Sequence, residues 1–269
     1  MSGPIGIFDS GIGGLTVARA ACELLPDESI LYYGDTAHLP YGEKSPELIR
    51  KYSSRIVKHL IQSGCKAIVV ACNSASSNAL ETVKEIAGDI PVIDMVTPVV
   101  GELFKSFKDG SNIGLIGTRA TISSGLYSKS IKALSCKGHE LKITPRATPL
   151  LASAIEEGFY NNTIPGAVLE AYLGDGYFND TDAIILGCTH YPIVSKQVSD
   201  LLPSHVKVVN SPVIVANLLK NELETRGLLN ESESGARNSF QVSDLTETFR
   251  FGAQKFFGAG LDLEEVVLG

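Results

Sequence analysis

Residues 67–74, Ala67-Ile68-Val69-Val70-Ala71-Cys72-Asn73-Ser74, decide how this chain is to be read. A short apolar run rich in β-branched side chains stops at a cysteine, and two small polar residues follow. The run is far too short to cross a bilayer and reads as a strand over Ala67–Ala71. Working outward, the same kind of run recurs at Ile5–Phe8, Ile30–Tyr33, Val92–Met95, Asn112–Ile116, Ala183–Leu186 and Val206–Val209. Between these lie stretches with helical spacing: Gly14–Leu25, Pro46–Ser63, Ala75–Ala87, Thr97–Phe107, Ser124–Leu134, Pro165–Leu173, Ile193–Leu201 and Ser211–Arg226. Strands alternating with helices predict an α/β fold with mostly parallel sheets flanked by helices.

The pattern is stated twice. One strand ends at FDSGIGG and a later one at VVACNS; in the second half, one ends at GTRAT and a later one at GCTHYP. Cys72 and Cys188 occupy matched strand ends, and each precedes a small polar residue, Asn73 or Thr189. Two pseudo-symmetric α/β domains facing one cleft are therefore expected. Residues 1–96 with 211–269 would form the first, and residues 97–210 the second. Asn230–Ser239 reads as a solvated loop before a final helix near Leu245–Phe257.

Bulk properties narrow the function. The formal net charge of −7 offers no basic field, so neither nucleic acid nor an anionic membrane surface is an expected partner. The opening MSGPIGIFDSG has neither a basic segment nor an apolar core, so no signal peptide is expected. Five cysteines, an odd number without CxxC or zinc-type spacing, predict reduced thiols in a cytoplasmic protein and no metal site.

In open α/β sheets the functional loops lie beyond the carboxyl ends of strands, where helix N-termini point inward. A cysteine there is favoured as a thiolate. A small buried hydrophobe would also fit such a position, but two at matched positions favour chemistry. Cys22, Cys65 and Cys136 have no such setting and read as structural. A disulfide between Cys72 and Cys188 conflicts with a reducing compartment. Two uses remain open on physical grounds. One is Cys188–His190 nucleophilic catalysis, His190 lying two residues on. The other is a 1,1-proton transfer, one cysteine acting as thiolate base and the other as thiol acid on opposite faces of a carbon acid.

Other residues cluster around these two. Asp9-Ser10-Gly11-Ile12-Gly13-Gly14 supplies a carboxylate, a hydroxyl and a glycine turn, but its spacing departs from a dinucleotide fingerprint. The loop through Pro40-Tyr41-Gly42 is rich in turn residues and donors. Asn73, Ser74, Thr189 and nearby amides are able to hold a carboxylate and an ammonium. His190 is placed to orient or protonate Cys188. Glu156-Glu157, before Gly158, has the spacing of a solvated helix end.

Taken in order, FDSGIGGLTV, YYGDTAHLPYGEKS, VVACNSAS, IGLIGTRAT and LGCTHYP resemble the glutamate racemase family, within the broader aspartate/glutamate racemase group. These motifs run from residue 5 to about residue 212, and only the helical pattern matches beyond. The resemblance implies two α/β domains with the site between them. It implies cofactor-independent interconversion of L- and D-glutamate, feeding peptidoglycan synthesis, with aspartate the nearest alternative substrate. The residue matching Cys72 would act on D-glutamate and that matching Cys188 on L-glutamate, with Asp9, His190 and Glu156 tuning the thiols. Substrate contacts carry over to Asp9, Ser10, Tyr41, Gly42, Asn73, Ser74, Thr189 and His190, with Pro40 in the same loop and Thr121 nearby. A homodimer is implied only by analogy. Two positions depart from the family pattern. Ser74 stands where Thr is usual, and Asn210-Ser211 stands where Asp-Ser is more typical, so no role is carried onto Asn210.

Overall fold

The computed structural model describes residues 3–158, 163–230, 236–258 and 260–269. Its strands are β1 (Ile5–Asp9), β2 (Ile30–Gly34), β3 (Ala67–Val70), β4 (Val92–Ile93), β5 (Asn112–Gly117), β6 (Lys142–Ala147), β7 (Ala183–Gly187), β8 (Lys207–Val209), β9 (Ser239–Val242) and β10 (Leu263–Glu265). The helices are α1 (Leu15–Leu24), α2 (Pro46–Gln62), α3 (Asn73–Ala87), α4 (Thr97–Ser106), α5 (Arg119–Ser124), α6 (Leu126–Leu134), α7 (Leu151–Gly158), α8 (Thr163–Leu173), α9 (Ser195–Leu201), α10 (Ser211–Thr225) and α11 (Glu247–Phe256).

Two sheets result, one ordered β10-β9-β2-β1-β3-β4 and the other β6-β5-β7-β8. All pairings between these strands are parallel. The run β2-β1-β3-β4 in the first sheet is repeated in order by β6-β5-β7-β8 in the second, so the duplicated motifs correspond to duplicated topology. Consequently β3 and β7, which precede Cys72 and Cys188, hold the same place in their sheets.

The period of two along each strand assigns the helices to faces. Ile5, Ile7, Ile30, Tyr32 and Val69 share a buried cluster with residues of α1, α10 and α11. Phe8, Leu31, Tyr33, Ile68 and Val70 cluster instead with α2 and α3. In the second sheet, Ile113, Leu115 and Ile185 pack under α4 and α6. Ile184 and Leu186 join the first cluster together with α7, α8 and α9. That cluster therefore runs through both sheets, and the space between them at this level is filled with side chains.

Three elements differ from the sequence reading. The stretch expected as a loop, Asn230–Ser239, ends in β9 at Ser239, while residues 231–235 lie outside the described residues. The polar strands β6, β9 and β10 were not legible from apolar runs. They form because their main chains extend ladders already set by β5 and β2. The final helix is α11, whose Thr246 hydroxyl accepts the Phe249 amide at 3.1 Å and sets its start two residues later than the spacing indicates. Among the described residues no helix is long and apolar enough to cross a membrane.

Candidate active site

Cys72 leaves β3 with extended backbone and caps α3, its sulfur accepting the Ala75 amide at 3.4 Å. The sequence produces this locally: the β-branched run Ile68-Val69-Val70 ends, and the small residues Asn73, Ser74 and Ala75 open a helix. The thiol of Cys72 donates to Ser10 Oγ at 3.7 Å. Cys188 follows β7, its carbonyl accepting the Tyr191 amide at 3.1 Å, and its sulfur lies 3.5 Å from His190 Nδ1. Each cysteine is sheltered but not sealed, at 5% and 7% exposure for Cys72 and Cys188. The two sulfurs are close enough for the charge of Cys188 to act on Cys72.

Electrostatics make the pair unequal. Burial pushes the Cys72 thiol well above its usual value, and the Asp9 carboxylate pushes the same way, although the Ala75 amide and Ser10 oppose them. Cys188 faces a cation instead. Burial lowers the basicity of His190, but Glu156 and Cys188 together outweigh burial and hold the imidazole well above its ordinary value. Glu156 Oε1 sits 2.7 Å from His190 Nε2. A Glu156–His190–Cys188 line thus sets a proton-bearing ring against one sulfur, while the other sulfur keeps its proton.

Asp9 ends β1, fully buried, and its Oδ2 accepts the amides of Gly11 and Gly14 at 3.1 and 3.0 Å. Burial raises its pKa above the usual carboxylate value, with the His190 charge and those amides pulling the other way. Thr189 donates to Asp9 Oδ1 at 3.5 Å, and Thr16 donates to the Thr189 carbonyl at 3.2 Å, which ties the two halves together. Gly13 is the close approach that permits this: a Cβ there would lie 2.3 Å from Thr189 Oγ1 and 2.5 Å from His190 Nδ1.

On the opposite side, Asn73 Oδ1 accepts the Tyr127 hydroxyl at 2.8 Å, while its Nδ2 is buried without a protein partner. Ser74 and Thr118 hydroxyls are 2.9 Å apart, and Thr118 Oγ1 donates to Thr121 Oγ1 at 3.1 Å. Ser74, shorter than the usual Thr by a methyl, still reaches its partner. Gly42 packs against the same Thr118, whose Cβ lies 2.7 Å from where a Gly42 Cβ would stand. Tyr41 is wholly buried and donates to Asp35 Oδ2 at 2.5 Å, which fixes the loop that carries Pro40 and Gly42.

The structure thus gathers Asp9, Ser10, Asn73, Ser74, Thr121, Thr189 and His190 around the two cysteines, and adds Glu156 behind His190. Asn210 stands apart, before α10 and without a side-chain cap. The sequence reading missed Thr118, although it lies inside GTRAT, because its role is to bridge Ser74 and Thr121 rather than to stand at a strand-end cysteine. It also missed Tyr127, whose partner Asn73 lies far away in the chain. Among the described residues no group of three or more His, Cys, Asp or Glu is arranged to hold a metal ion.

Comparison with known proteins identifies the family and the fold. The family model described as Asp/Glu/Hydantoin racemase matches residues 15–219. The chain is 42% identical over 264 residues to a protein named glutamate racemase from Chlorobaculum parvum, covering 98% of this chain and 96% of that one. Its fold superposes on a crystal structure of glutamate racemase from Francisella tularensis in complex with D-glutamate, with a TM-score of 0.90, 37% identity and coverage of 99% and 98%. A glutamate racemase isoform of Bacillus anthracis gives a TM-score of 0.91 at 32% identity, again covering 99% of this chain and 98% of that one. With a family match through both sheets and near full-length identity to such relatives, the chain belongs to the Asp/Glu/Hydantoin racemase family.

Proposed function

We propose that this protein interconverts L- and D-glutamate by moving one α-proton between Cys72 and Cys188. The observation that carries the reading is the unequal pair of sheltered cysteines at equivalent strand ends, one beside a basic, carboxylate-backed histidine and the other held as a thiol. The relatives' substrate supports glutamate as the ligand, since one of the similar structures holds D-glutamate.

In the L-to-D direction Cys188, beside the carboxylate-backed His190, is the sulfur that accepts a proton. L-glutamate then loses its Cα proton to Cys188, the S–H bond forms, and the Cα electron pair is left on the substrate. Cys72 gives its proton to the opposite face, which yields D-glutamate and leaves the negative charge on Cys72. The D-to-L direction starts from that exchanged state, with Cys72 as base. Asn73 Nδ2, Ser10 and Thr189 hold the amino-acid head group, and the amides of Tyr41 and Gly42 with Ser74 and Thr121 hold the carboxylates. His190 and Glu156 act through Cys188, and Asp9 through the turn it caps. The chemistry calls on no cofactor or metal. The product would supply peptidoglycan synthesis in the cytoplasm, and a homodimer is the assembly proposed.

Incubation of each enantiomer in deuterated water tests this. Both should gain α-deuterium and lose optical rotation, and Cys72→Ser or Cys188→Ser should each reduce racemisation by about 10²–10⁴-fold, the usual worth of a positioned acid or base. Cys72→Ser should impair the D-to-L direction first. Failure of both enantiomers to exchange would sink the proposal, as would a single-cysteine variant at the wild-type rate. Aspartate run alongside reads substrate preference.

A further inference from the structure

A cavity of about 360 Å³ opens on the seam between the two sheets, lined in part by Glu43, Lys44, Asn78 and Arg119. Its lining residue Asn78 lies on α3, the helix that Cys72 caps. Asn78 Nδ2 donates to the carbonyls of Ser74 and Ala120 at 2.9 and 3.3 Å. The layer beneath is the Gly42–Thr118 contact and the Ser74–Thr118 hydroxyl pair. Both sheltered cysteines must be reached through some such seam, and this one is crossed by the neutral Ser74–Thr118 and Asn78–Ala120 hydrogen bonds, the Gly42–Thr118 contact and an ion pair.

The ion pair is Arg119 Nη1 to Glu43 Oε1 at 3.4 Å, with the side chains 64% and 52% exposed. It crosses from the segment after β5 to the segment before α2. At that length and exposure it contributes little to holding the halves together, and its partners exchange readily for other charges. Around it the balance is cationic. Lys44 lines the same cavity, and Arg50 reaches the Asn78 carbonyl at 3.5 Å. Glu43 is the carboxylate among the lining residues. Among the lining residues the cations Lys44 and Arg119 outnumber the carboxylate Glu43, against a net charge of −7 for the chain.

We infer that this cavity is a vestibule for dicarboxylate amino acids, in which Arg119 captures an incoming carboxylate by exchanging it for Glu43. The inference rests on the function proposed above and adds to it a docking step before the substrate reaches the cysteines. Glu43 competes with substrate for Arg119, so the two members of the pair have opposite effects on capture. A rim charge of this kind acts on association and on salt dependence more than on the bound complex.

The test uses the full chain with Arg119→Gln, Arg119→Lys and Glu43→Gln, measuring kcat and KM for both glutamate enantiomers from low salt to about 1 M NaCl, where the Debye length is about 3 Å. Arg119→Gln should lower kcat/KM about threefold or more at low salt through KM. Arg119→Lys should retain most of the wild-type value, Glu43→Gln should raise kcat/KM, and the differences should vanish at high salt. Glutamate titrated calorimetrically into the same variants should show the same order of affinity. A simple clasp between the halves would move Arg119→Gln and Glu43→Gln in the same direction, and that result overturns the inference. So does an Arg119→Gln variant with unchanged kcat/KM and affinity. A wild-type protein that racemises neither enantiomer refutes the proposed function instead, and the titration still reads the vestibule.

Discussion

Gly13→Ala isolates what the close approach of the two halves contributes. An added Cβ would stand 2.3 Å from Thr189 Oγ1 and 2.5 Å from His190 Nδ1. Ordinary contact begins near about 3.5 Å, so His190 must retreat by roughly 1 Å. The atom that moves is the one 3.5 Å from Cys188, and its neighbour Thr189 holds Asp9 across the cleft. Misplacement of about 1 Å in a reacting constellation costs about 10²-fold. Overpacking costs about 1–3 kcal/mol, which in a chain of this size lowers Tm by a few degrees at roughly 2–4 °C per kcal/mol. The expected variant is folded at assay temperature and about a hundredfold slower in both directions, by circular dichroism-detected racemisation and thermal unfolding. Gly101→Ala supplies the contrast. It sits inside α4 with open space where a Cβ would go, so it should gain about 0.5–1 kcal/mol from helix propensity and keep its rate. A Gly13→Ala protein with wild-type kcat would refute the reasoning, because the halves would then not meet in the reacting form as they do here.

Two further outcomes follow from buried charge. Glu156→Gln removes the carboxylate 2.7 Å from His190 Nε2, so the pH limb that requires protonated His190 should move down in the L-to-D direction. The stabilising effect of that pair is complete below the unfolded histidine pKa near about 6.5 and is lost as pH rises through the raised folded value, so the variant's Tm should vary less with pH across that range. An unmoved limb would show that Glu156 does not act through His190. Lys66→Met strands Glu28, its partner at 2.6 Å with side chains 2% and 3% exposed, and should cost about 3–5 kcal/mol, or about 10 °C in Tm. Adding Glu28→Gln should recover much of that loss in thermal unfolding. A single variant within about 2 °C of wild type would contradict the burial argument.

Local chemistry in the chain is enough to place both cysteines at the carboxyl ends of strands, each opening onto a helix or turn, because apolar period and small polar followers are properties of a few consecutive residues. The same holds for the repeated strand–helix pattern, which foretells parallel sheets. Strand order is different in kind, since β9 and β10 are polar and short and exist only because β2 offers an edge to pair with. Glu156 has the local signature of a solvated helix end, and only the packing of α7 against the segment after β7 turns it toward His190. Likewise Thr118, which no local spacing singles out, becomes a contact across the seam because Gly42 and Ser74 arrive from elsewhere in the chain. Contacts between residues distant in sequence are set by how whole faces pack, and no run of neighbouring side chains encodes them.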